Sequence, residues 1–112
     1  MKLAVIGSRG FNDYELLKET LEKYKGVEQF ISGGARGADL LGERWARENN
    51  IPTKIFKPDW DKHGKAAGFI RNKDIISNAD LVIAFWDGVS KGTQHSINLA
   101  KDGGKELIII MI

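Results

Sequence analysis

The sequence predicts an α/β fold in three layers, with helices on both faces of a parallel sheet of about five strands. Short apolar runs rich in β-branched residues alternate with longer amphipathic stretches along the 112 residues. This alternation is typical of successive strand–helix–strand units. Several of the apolar runs are also followed by glycine-bearing polar segments, as expected where parallel strands lead into helices.

The predicted strands are short, apolar and bounded by polar or glycine residues. They cover residues 2–7, 29–32, 53–56, 81–85 and 106–111. Parallel strands are joined by right-handed crossovers, which bring every strand-to-helix loop to one edge of the sheet. We therefore expect a ligand to bind at that edge.

Four helices are predicted between these strands. The first is expected to begin at a capping box of Asn12 and Glu15 and to end at Gly26. The second is expected to carry Ala38, Leu41 and Trp45 on its buried face and to close at Asn49-Asn50. The other two are expected over about residues 66–77 and over residues 93–101, because apolar residues recur there at helical spacing.

The connection over residues 59–67 (DWDKHGKAA) is long and polar for a domain of this size. Connections of this kind are often mobile and carry functional residues. We expect it to form a lid or specificity loop.

Composition limits the classes of function. The chain lacks cysteine and has 2 histidines, so neither a disulfide framework nor a metal site is expected, and no cofactor is predicted. Its 17 Lys and Arg are scattered among 15 Asp and Glu, which makes a nucleic-acid partner unlikely. No membrane-spanning run or signal sequence is evident. We expect one cytoplasmic domain over residues 1–112, without a membrane partner.

Three glycine-bearing loops follow predicted strands. The first glycine loop is residues 7–10 (GSRG), the second is residues 32–39 (SGGARGAD) and the third is residues 87–93 (DGVSKGT). Glycine lets backbone amides approach a phosphate closely, and the helix that follows adds unpaired N–H groups and a positive dipole end. The three loops together predict an anion-binding edge.

Two common nucleotide motifs are absent. The second glycine loop nearly matches the dinucleotide fingerprint through Gly34 and Gly37, but Ser32 stands at the first glycine position. The loop also follows the second predicted strand, whereas that fingerprint normally follows the first. No GxxxxGK[ST] phosphate-binding loop occurs. A dehydrogenase or P-loop hydrolase is therefore not favoured.

The first and second glycine loops, the GFIRN segment at 68–72 and the AFWDGVSKGT segment at 84–93 occur in an order that resembles the SLOG superfamily. The similarity is closest to its small YspA-like branch, which is related to the LOG phosphoribohydrolases and to the Rossmann-like domain of the DNA-processing protein DprA. The resemblance implies a Rossmann-like fold of bacterial or phage origin. It also implies a pocket for a nucleotide, an ADP-ribose derivative or a cyclic nucleotide signal.

The resemblance leaves three functions open. LOG-type hydrolases carry a glutamate after their glycine-threonine pair, whereas Gly92-Thr93 is followed here by Gln94, His95 and Ser96. We therefore favour a binding protein, either a sensor component or a sequestering protein. The alternative is a nucleotide N-glycosidic hydrolase in which Asp87 or His95 replaces the glutamate. A second alternative is single-stranded DNA binding.

The predicted ligand-binding residues come from the three loops, the long connection and the third helix. They are Gly7, Ser8, Arg9, Ser32, Gly33, Gly34, Ala35, Arg36, Gly37, Asp39, Trp60, Arg71, Asn72, Asp87, Gly88, Ser90, Gly92 and Thr93. Arginines suit bidentate phosphate contacts, and Trp60 could stack on a base. The hydroxyls could bind phosphate or cap helices.

Other roles and interfaces stay open. Arg9 and Arg36 could contact an anion or hold a loop to an acidic neighbour. Asp39 is expected to act structurally at a helix N-terminus, and Asp87 to bind a ribose hydroxyl or orient its loop. Exposed helix faces could support a homo-oligomer, although the sequence identifies no interface.

Overall fold

The computed structural model describes all 112 residues. The strands are β1 (Lys2–Gly7), β2 (Gln29–Ser32), β3 (Thr53–Ile55), β4 (Leu81–Trp86) and β5 (Glu106–Met111). The helices are α1 (Tyr14–Leu21), α2 (Ala38–Glu48), α3 (Trp60–His63), α4 (Ala67–Asn78) and α5 (Lys91–Asp102), with a 3₁₀ turn at Gly64–Ala66. None of these helices is long and apolar enough to cross a bilayer.

All five strands lie parallel in one sheet of order β3-β2-β1-β4-β5. Side chains alternate between the two faces of a strand, and β1 follows this rule. Leu3 and Val5 join the buried cluster that includes residues of α1 and α2, whereas Ala4 and Ile6 join the one that includes residues of α4 and α5. The predicted three-layer, Rossmann-like α/β fold is confirmed.

The first helix differs from its predicted bounds at both ends. Its N-cap is Asp13, whose Oδ1 accepts a hydrogen bond from the N–H of Leu16 at 3.1 Å. The predicted cap, Asn12, lies one residue outside it. The helix ends at Leu21, so Gly26, with φ of +74°, lies in the following loop and does not end the helix. Either neighbouring polar residue could have capped the helix, and backbone geometry selects the second.

The connection over residues 59–67 is helical, not an open loop. Asp59 caps α3 by accepting a hydrogen bond from the N–H of Lys62 at 3.1 Å. Gly64, with φ of +55°, ends α3 and begins the 3₁₀ turn that leads into α4. The expected lid is therefore a pair of short turns beside the start of α4.

The strand order places the ends of β1 and β4 side by side at the carboxyl edge of the sheet. The N–H of Ser8 continues the ladder by donating to the carbonyl oxygen of Phe85 at 3.0 Å. An added Cβ at Gly7 would lie 2.6 Å from both Ala38 Cβ and Phe85 O. Glycine at this position therefore permits the close packing of β1, β4 and α2 beneath the loops.

Candidate functional site

A cleft with two connected lobes opens at the carboxyl edge of the sheet. The inner lobe has a volume of about 340 Å³ and the outer lobe about 560 Å³. Both volumes fall within the range of small-molecule sites, about 300–1,000 Å³. The residues that line both lobes are Arg9, Ala35, Arg71, Asn72 and Gly92. The two lobes therefore form one continuous site.

The inner lobe lies at the start of α5. Lys91, Gly92 and Thr93 form the first turn of this helix and line the lobe. The N-cap residue, Ser90, makes no side-chain hydrogen bond to the helix. The first amides of a helix have no partner within it, and they carry its positive dipole end. This wall of the lobe thus suits an anion.

The third glycine loop is held by the carboxylate of Asp87. Its Oδ1 accepts hydrogen bonds from the N–H groups of Val89 at 2.9 Å and Ser90 at 2.8 Å. These bonds lower the pKa of the Asp87 carboxyl. Ser8 Oγ links the loop to the first glycine loop, because it accepts from the N–H of Asp87 and pairs with Ser90 Oγ, each at 3.2 Å. Asp87 thus orients its own loop.

The second glycine loop is held by Asp39, a buried residue in the first turn of α2. Its Oδ2 accepts hydrogen bonds from the N–H of Gly33 at 3.1 Å and of Ala35 at 3.2 Å. Burial raises the pKa of the Asp39 carboxyl to about 6, although these amides and the positive charge of Arg71 act in the opposite direction. The contacts match the structural role expected for Asp39.

Arg71 extends from α4 to the second glycine loop. Its Nη1 donates to the carbonyl oxygen of Gly33 and its Nε to Asn72 Oδ1, both at 3.0 Å. Asn72 Nδ2 in turn lies 3.3 Å from His95 Nδ1. Burial lowers the pKa of the half-buried Arg71 guanidinium, whereas the charge of Asp39 raises it. The side chain is thus oriented before any ligand arrives.

The outer lobe combines cations with exposed aromatic rings. It is lined by the cationic side chains of Arg9, Lys57, Lys65 and Arg71. No Asp or Glu lines it. Its aromatic residues are Trp60 and Phe69, which are 58% and 56% exposed.

Comparison with known proteins gives two findings about the family to which this chain belongs. A family model described as "YspA, cpYpsA-related SLOG family" matches residues 1–63. The gene 61 protein of Mycobacterium phage D29 is 33% identical over 117 aligned residues, covering 96% of this chain and 94% of the phage protein. The chain belongs to the YspA, cpYpsA-related SLOG family. The superfamily and branch predicted from the sequence are thereby confirmed.

Solved structures resemble this SLOG protein in fold. The DNA processing protein A (DprA) of Streptococcus pneumoniae aligns with a TM-score of 0.82 at 18% identity, over 96% of this chain and 49% of that one. Helicobacter pylori DprA, described with a single-stranded DNA binding mode, gives 0.75 at 24% identity, over 97% and 64%. The structural-genomics target TM1055 gives 0.71 at 25% identity, over 95% and 71%. The chain thus spans about half of the pneumococcal protein.

Many of the predicted site residues of this SLOG protein lie along the cleft. Those lining the inner lobe, the outer lobe or both are Gly7, Arg9, Gly33, Gly34, Ala35, Asp39, Trp60, Arg71, Asn72, Asp87, Ser90, Gly92 and Thr93. These residues come from five separate segments of the chain.

The remaining predicted residues do not line either lobe. They are Ser8, Ser32, Arg36, Gly37 and Gly88. Arg36 is exposed outside the cleft, whereas Ser32 is buried and its Oγ accepts from the N–H of Gly34 at 3.3 Å. Gly37, with φ of +83°, packs against the backbone of the first glycine loop, where a Cβ would clash. Ser8, Ser32 and Gly37 thus shape the loops, and none of the five residues lines the cleft.

The three residues that follow Gly92-Thr93 in α5 differ in whether they line the cleft. Only Ser96 lines the inner lobe, while Gln94 is exposed. His95 lies outside both lobes, with its ring edge-on to Phe69 at a centroid distance of 4.6 Å. No group of three or more His, Asp or Glu side chains is arranged to hold a metal ion.

Several lining residues were not predicted from the sequence. The cationic and aromatic ones are Lys57, Lys65, Phe69 and Lys91. Lys57 could have been found, because it directly follows a predicted strand and so lies at the ligand-binding edge. Lys65 lies in the polar connection and Phe69 in the GFIRN segment, but neither residue follows a predicted strand. Their position in the cleft depends on how the turns after α3 fold back.

Proposed function

We propose that this SLOG protein binds a phosphorylated nucleotide-derived molecule and releases it unchanged, as a sensor component or a sequestering protein. The ligand class comprises nucleotides, ADP-ribose derivatives and cyclic nucleotide signals. The observation that carries the proposal is the position of Arg71, held at 3.0 Å from Gly33 O between an uncapped helix start and a cationic lobe. We further propose that residues 1–112 act as one cytoplasmic domain.

The charge balance of the cleft supports an anionic ligand. Its cations are Arg9, Lys57, Lys65, Arg71 and Lys91, and its only acidic residues are Asp39 and Asp87. Both carboxylates already accept hydrogen bonds from backbone amides of their own loops. The net positive charge therefore remains available to phosphate oxygens, which arginine binds in bidentate fashion.

The positions of the candidate catalytic groups support binding without cleavage. Glycosidic cleavage requires a carboxylate or an equivalent group that can stabilise charge or move a proton. The carboxylate of Asp87 orients its own loop, and His95 does not line the cleft. Ser96, which does line it, carries a hydroxyl that no basic side chain hydrogen-bonds. These positions favour the binding protein over the hydrolase.

Mass spectrometry of captured ligand tests the proposal. Purified protein is incubated with AMP, ADP-ribose and cyclic di-AMP, and the filtrate and the heat-denatured protein fraction are analysed. We expect at least one probe to leave the filtrate and to reappear unchanged after denaturation. Free base together with a ribose phosphate would support the hydrolase instead. Depletion of none of the probes would refute the proposal.

Single-stranded DNA binding is a second candidate, favoured by the outer lobe. Cations that track a backbone and aromatic rings that stack on bases are the usual elements of such sites, and this lobe carries Trp60 and Phe69 beside its lysines and arginines. The DprA of H. pylori, similar in fold, is described with a single-stranded DNA binding mode. Fluorescence anisotropy with a labelled oligothymidylate at low and raised salt tests this candidate. Salt-sensitive binding tighter than that of every small probe would favour it.

A further inference from the structure

We propose that the outer lobe is a base-binding subsite and that the ligand is a two-part molecule bridging both lobes. A phosphate or diphosphate would lie between the lobes at Arg9 and Arg71. An aromatic base would lie against Trp60 and Phe69, and a second sugar–phosphate unit would occupy the inner lobe. This inference rests on the proposed function and specifies its ligand class: dinucleotides and nucleoside diphosphate sugars, not mononucleotides.

The junction between the lobes is the first support for a bridging ligand. Arg9 and Arg71 each line both lobes. An anion held between them would therefore have open space on both sides. A terminal phosphate would use only one of these spaces, whereas a phosphate in the middle of a ligand would use both.

The two lobes also differ in chemistry. The inner lobe has no aromatic residue, and two hydroxyl residues of α5, Thr93 and Ser96, line it. The outer lobe contains Trp60 and Phe69, each more than half exposed. Large aromatic side chains gain free energy when a flat apolar surface covers them. A base fits the outer lobe, and a sugar with its phosphate fits the inner one.

Both aromatic rings of the outer lobe pack against neighbouring residues of the protein. An added Cβ at Gly68 would lie in van der Waals contact with Trp60 Cη2, at 3.8 Å, so the indole lies over the first turn of α4. The ring of Phe69 meets the ring of His95 edge-on at 4.6 Å. Rings already in place lose little conformational freedom when a base stacks on them.

The charge of the outer lobe further narrows the class of ligand that can bind there. Lys57 and Lys65 add to the two shared arginines, and the lobe has no acidic residue. Cationic ligands are therefore disfavoured, and a neutral apolar ligand would leave these charges unmatched. A base attached to a phosphate matches both the rings and the cations.

Isothermal titration calorimetry with four probes tests the inference. The probes are ribose 5-phosphate, AMP, ADP-ribose and cyclic di-AMP. We expect ADP-ribose or cyclic di-AMP to bind at least about 10-fold more tightly than AMP, because their second unit fills the inner lobe, which AMP leaves open. The variants Trp60→Ala and Phe69→Ala should raise the Kd of the tighter-binding two-part probe about 5- to 100-fold. In the same variants, the Kd for ribose 5-phosphate should change by less than about twofold.

A matched control and a second readout separate the outcomes. Leu40→Ala removes a 47%-exposed side chain of α2 outside both lobes and should leave all four affinities unchanged. Trp60 is exposed, whereas Trp45 is buried and Trp86 is partly buried. The tighter probe should quench tryptophan fluorescence more in the wild type than in Trp60→Ala, and ribose 5-phosphate should quench neither.

Different results would overturn different parts of the inference. If Trp60→Ala and Phe69→Ala leave the affinities of all three adenine probes unchanged, the base subsite is refuted while phosphate binding stands. If AMP binds as tightly as both two-part probes, the bridging ligand is refuted. If none of the four probes binds, the proposed function itself fails. Tighter binding of an oligothymidylate than of every small probe would assign the outer lobe to single-stranded DNA.

Discussion

Nη1 of Arg71 donates a hydrogen bond to the carbonyl oxygen of Gly33 at 3.0 Å, joining α4 to the second glycine loop. The fit is tight, because an added Cβ at Gly33 would lie 2.6 Å from the same nitrogen. The loop and the arginine therefore define each other's position. A ligand phosphate would meet a guanidinium whose orientation is already set.

Replacement of Arg71 should weaken nucleotide binding strongly. Arg71→Ala removes a cation that lines both lobes, and hydrogen bonds to charged groups contribute about 1.5–3 kcal/mol. We expect the Kd for the best-binding phosphorylated probe to rise about 10- to 100-fold, measured by titration calorimetry. Arg71→Lys should give an intermediate loss, since it keeps the charge without the planar fork.

The matched control is Arg36→Ala, which removes an exposed arginine of the second glycine loop that lies outside both lobes. The Kd of Arg36→Ala for the same phosphorylated probe should stay within about twofold of the wild-type value. Equal losses in the two variants would mean that general charge, and not the geometry at Gly33, attracts the ligand.

The hydroxyl of Thr93 should contribute to affinity but not to the fold. Thr93 is 7% exposed and lines the inner lobe. Thr93→Val keeps the shape and removes the donor, so we expect the Kd of a phosphorylated probe to rise about 10-fold. Thr53→Val, at the exposed start of β3, is the control. An unchanged Kd in Thr93→Val would exclude the hydroxyl from the phosphate site.

The buried carboxyl of Asp39 should make stability depend on pH. Its pKa is raised from 3.8 to about 6 in the folded protein, mainly by burial, so the folded state holds this proton more tightly than the unfolded state does. The contribution of Asp39 to the free energy of unfolding should therefore fall as pH rises from about 4 to 6. The loss should total about 3 kcal/mol.

Urea unfolding of the wild type and of Asp39→Asn across this pH range measures the effect. Asparagine keeps an oxygen acceptor for the amides of Gly33 and Ala35 but cannot ionise. The stability of the wild type relative to the variant should decline with rising pH. Parallel pH profiles would show that the carboxyl is not shifted. Asp102→Asn, at an exposed site in α5, provides the control substitution.

The close approach at Gly7 should make the end of β1 intolerant of a side chain. Gly7→Ala would place a Cβ 2.6 Å from Ala38 Cβ and from Phe85 O. Overpacking of this kind typically costs about 1–3 kcal/mol of unfolding free energy. At Gly10 an added Cβ meets nothing within 4 Å, so Gly10→Ala should change stability by less than about 0.5 kcal/mol in urea unfolding. Equal stability of the two variants would contradict the packing described.

The sheet could be predicted well from the sequence because its strands are short apolar runs. The bounds of β1, β2 and β5 match the predicted segments, and β3 and β4 differ by one residue each. The start of α1 was harder to predict, since Asn12 and Asp13 are both good N-cap residues and only the backbone conformation decides between them. The short turns after β3 were missed because a helix of four residues is too short to show helical periodicity.

The candidate site was only partly predictable. Glycine motifs identify Gly92 and Thr93, which lie beside the cleft because the strand order brings their loop next to the end of β1. The same motif reasoning included Arg36, which is exposed and lines neither lobe. It missed Lys65 and Phe69, because their proximity to the arginines depends on tertiary packing between α3 and α4.

Neither half of the chain contains the whole cleft. Arg9 and Ala35 come from the N-terminal half, whereas Arg71 and Thr93 come from the other, and they meet only in the completed sheet. Ligand binding is thus thermodynamically linked to folding of the entire chain. A ligand present at 100 times its Kd should raise the free energy of unfolding by about 2.7 kcal/mol. The melting temperature can therefore serve as a screen that ranks unknown phosphorylated metabolites by affinity, with no assay of activity.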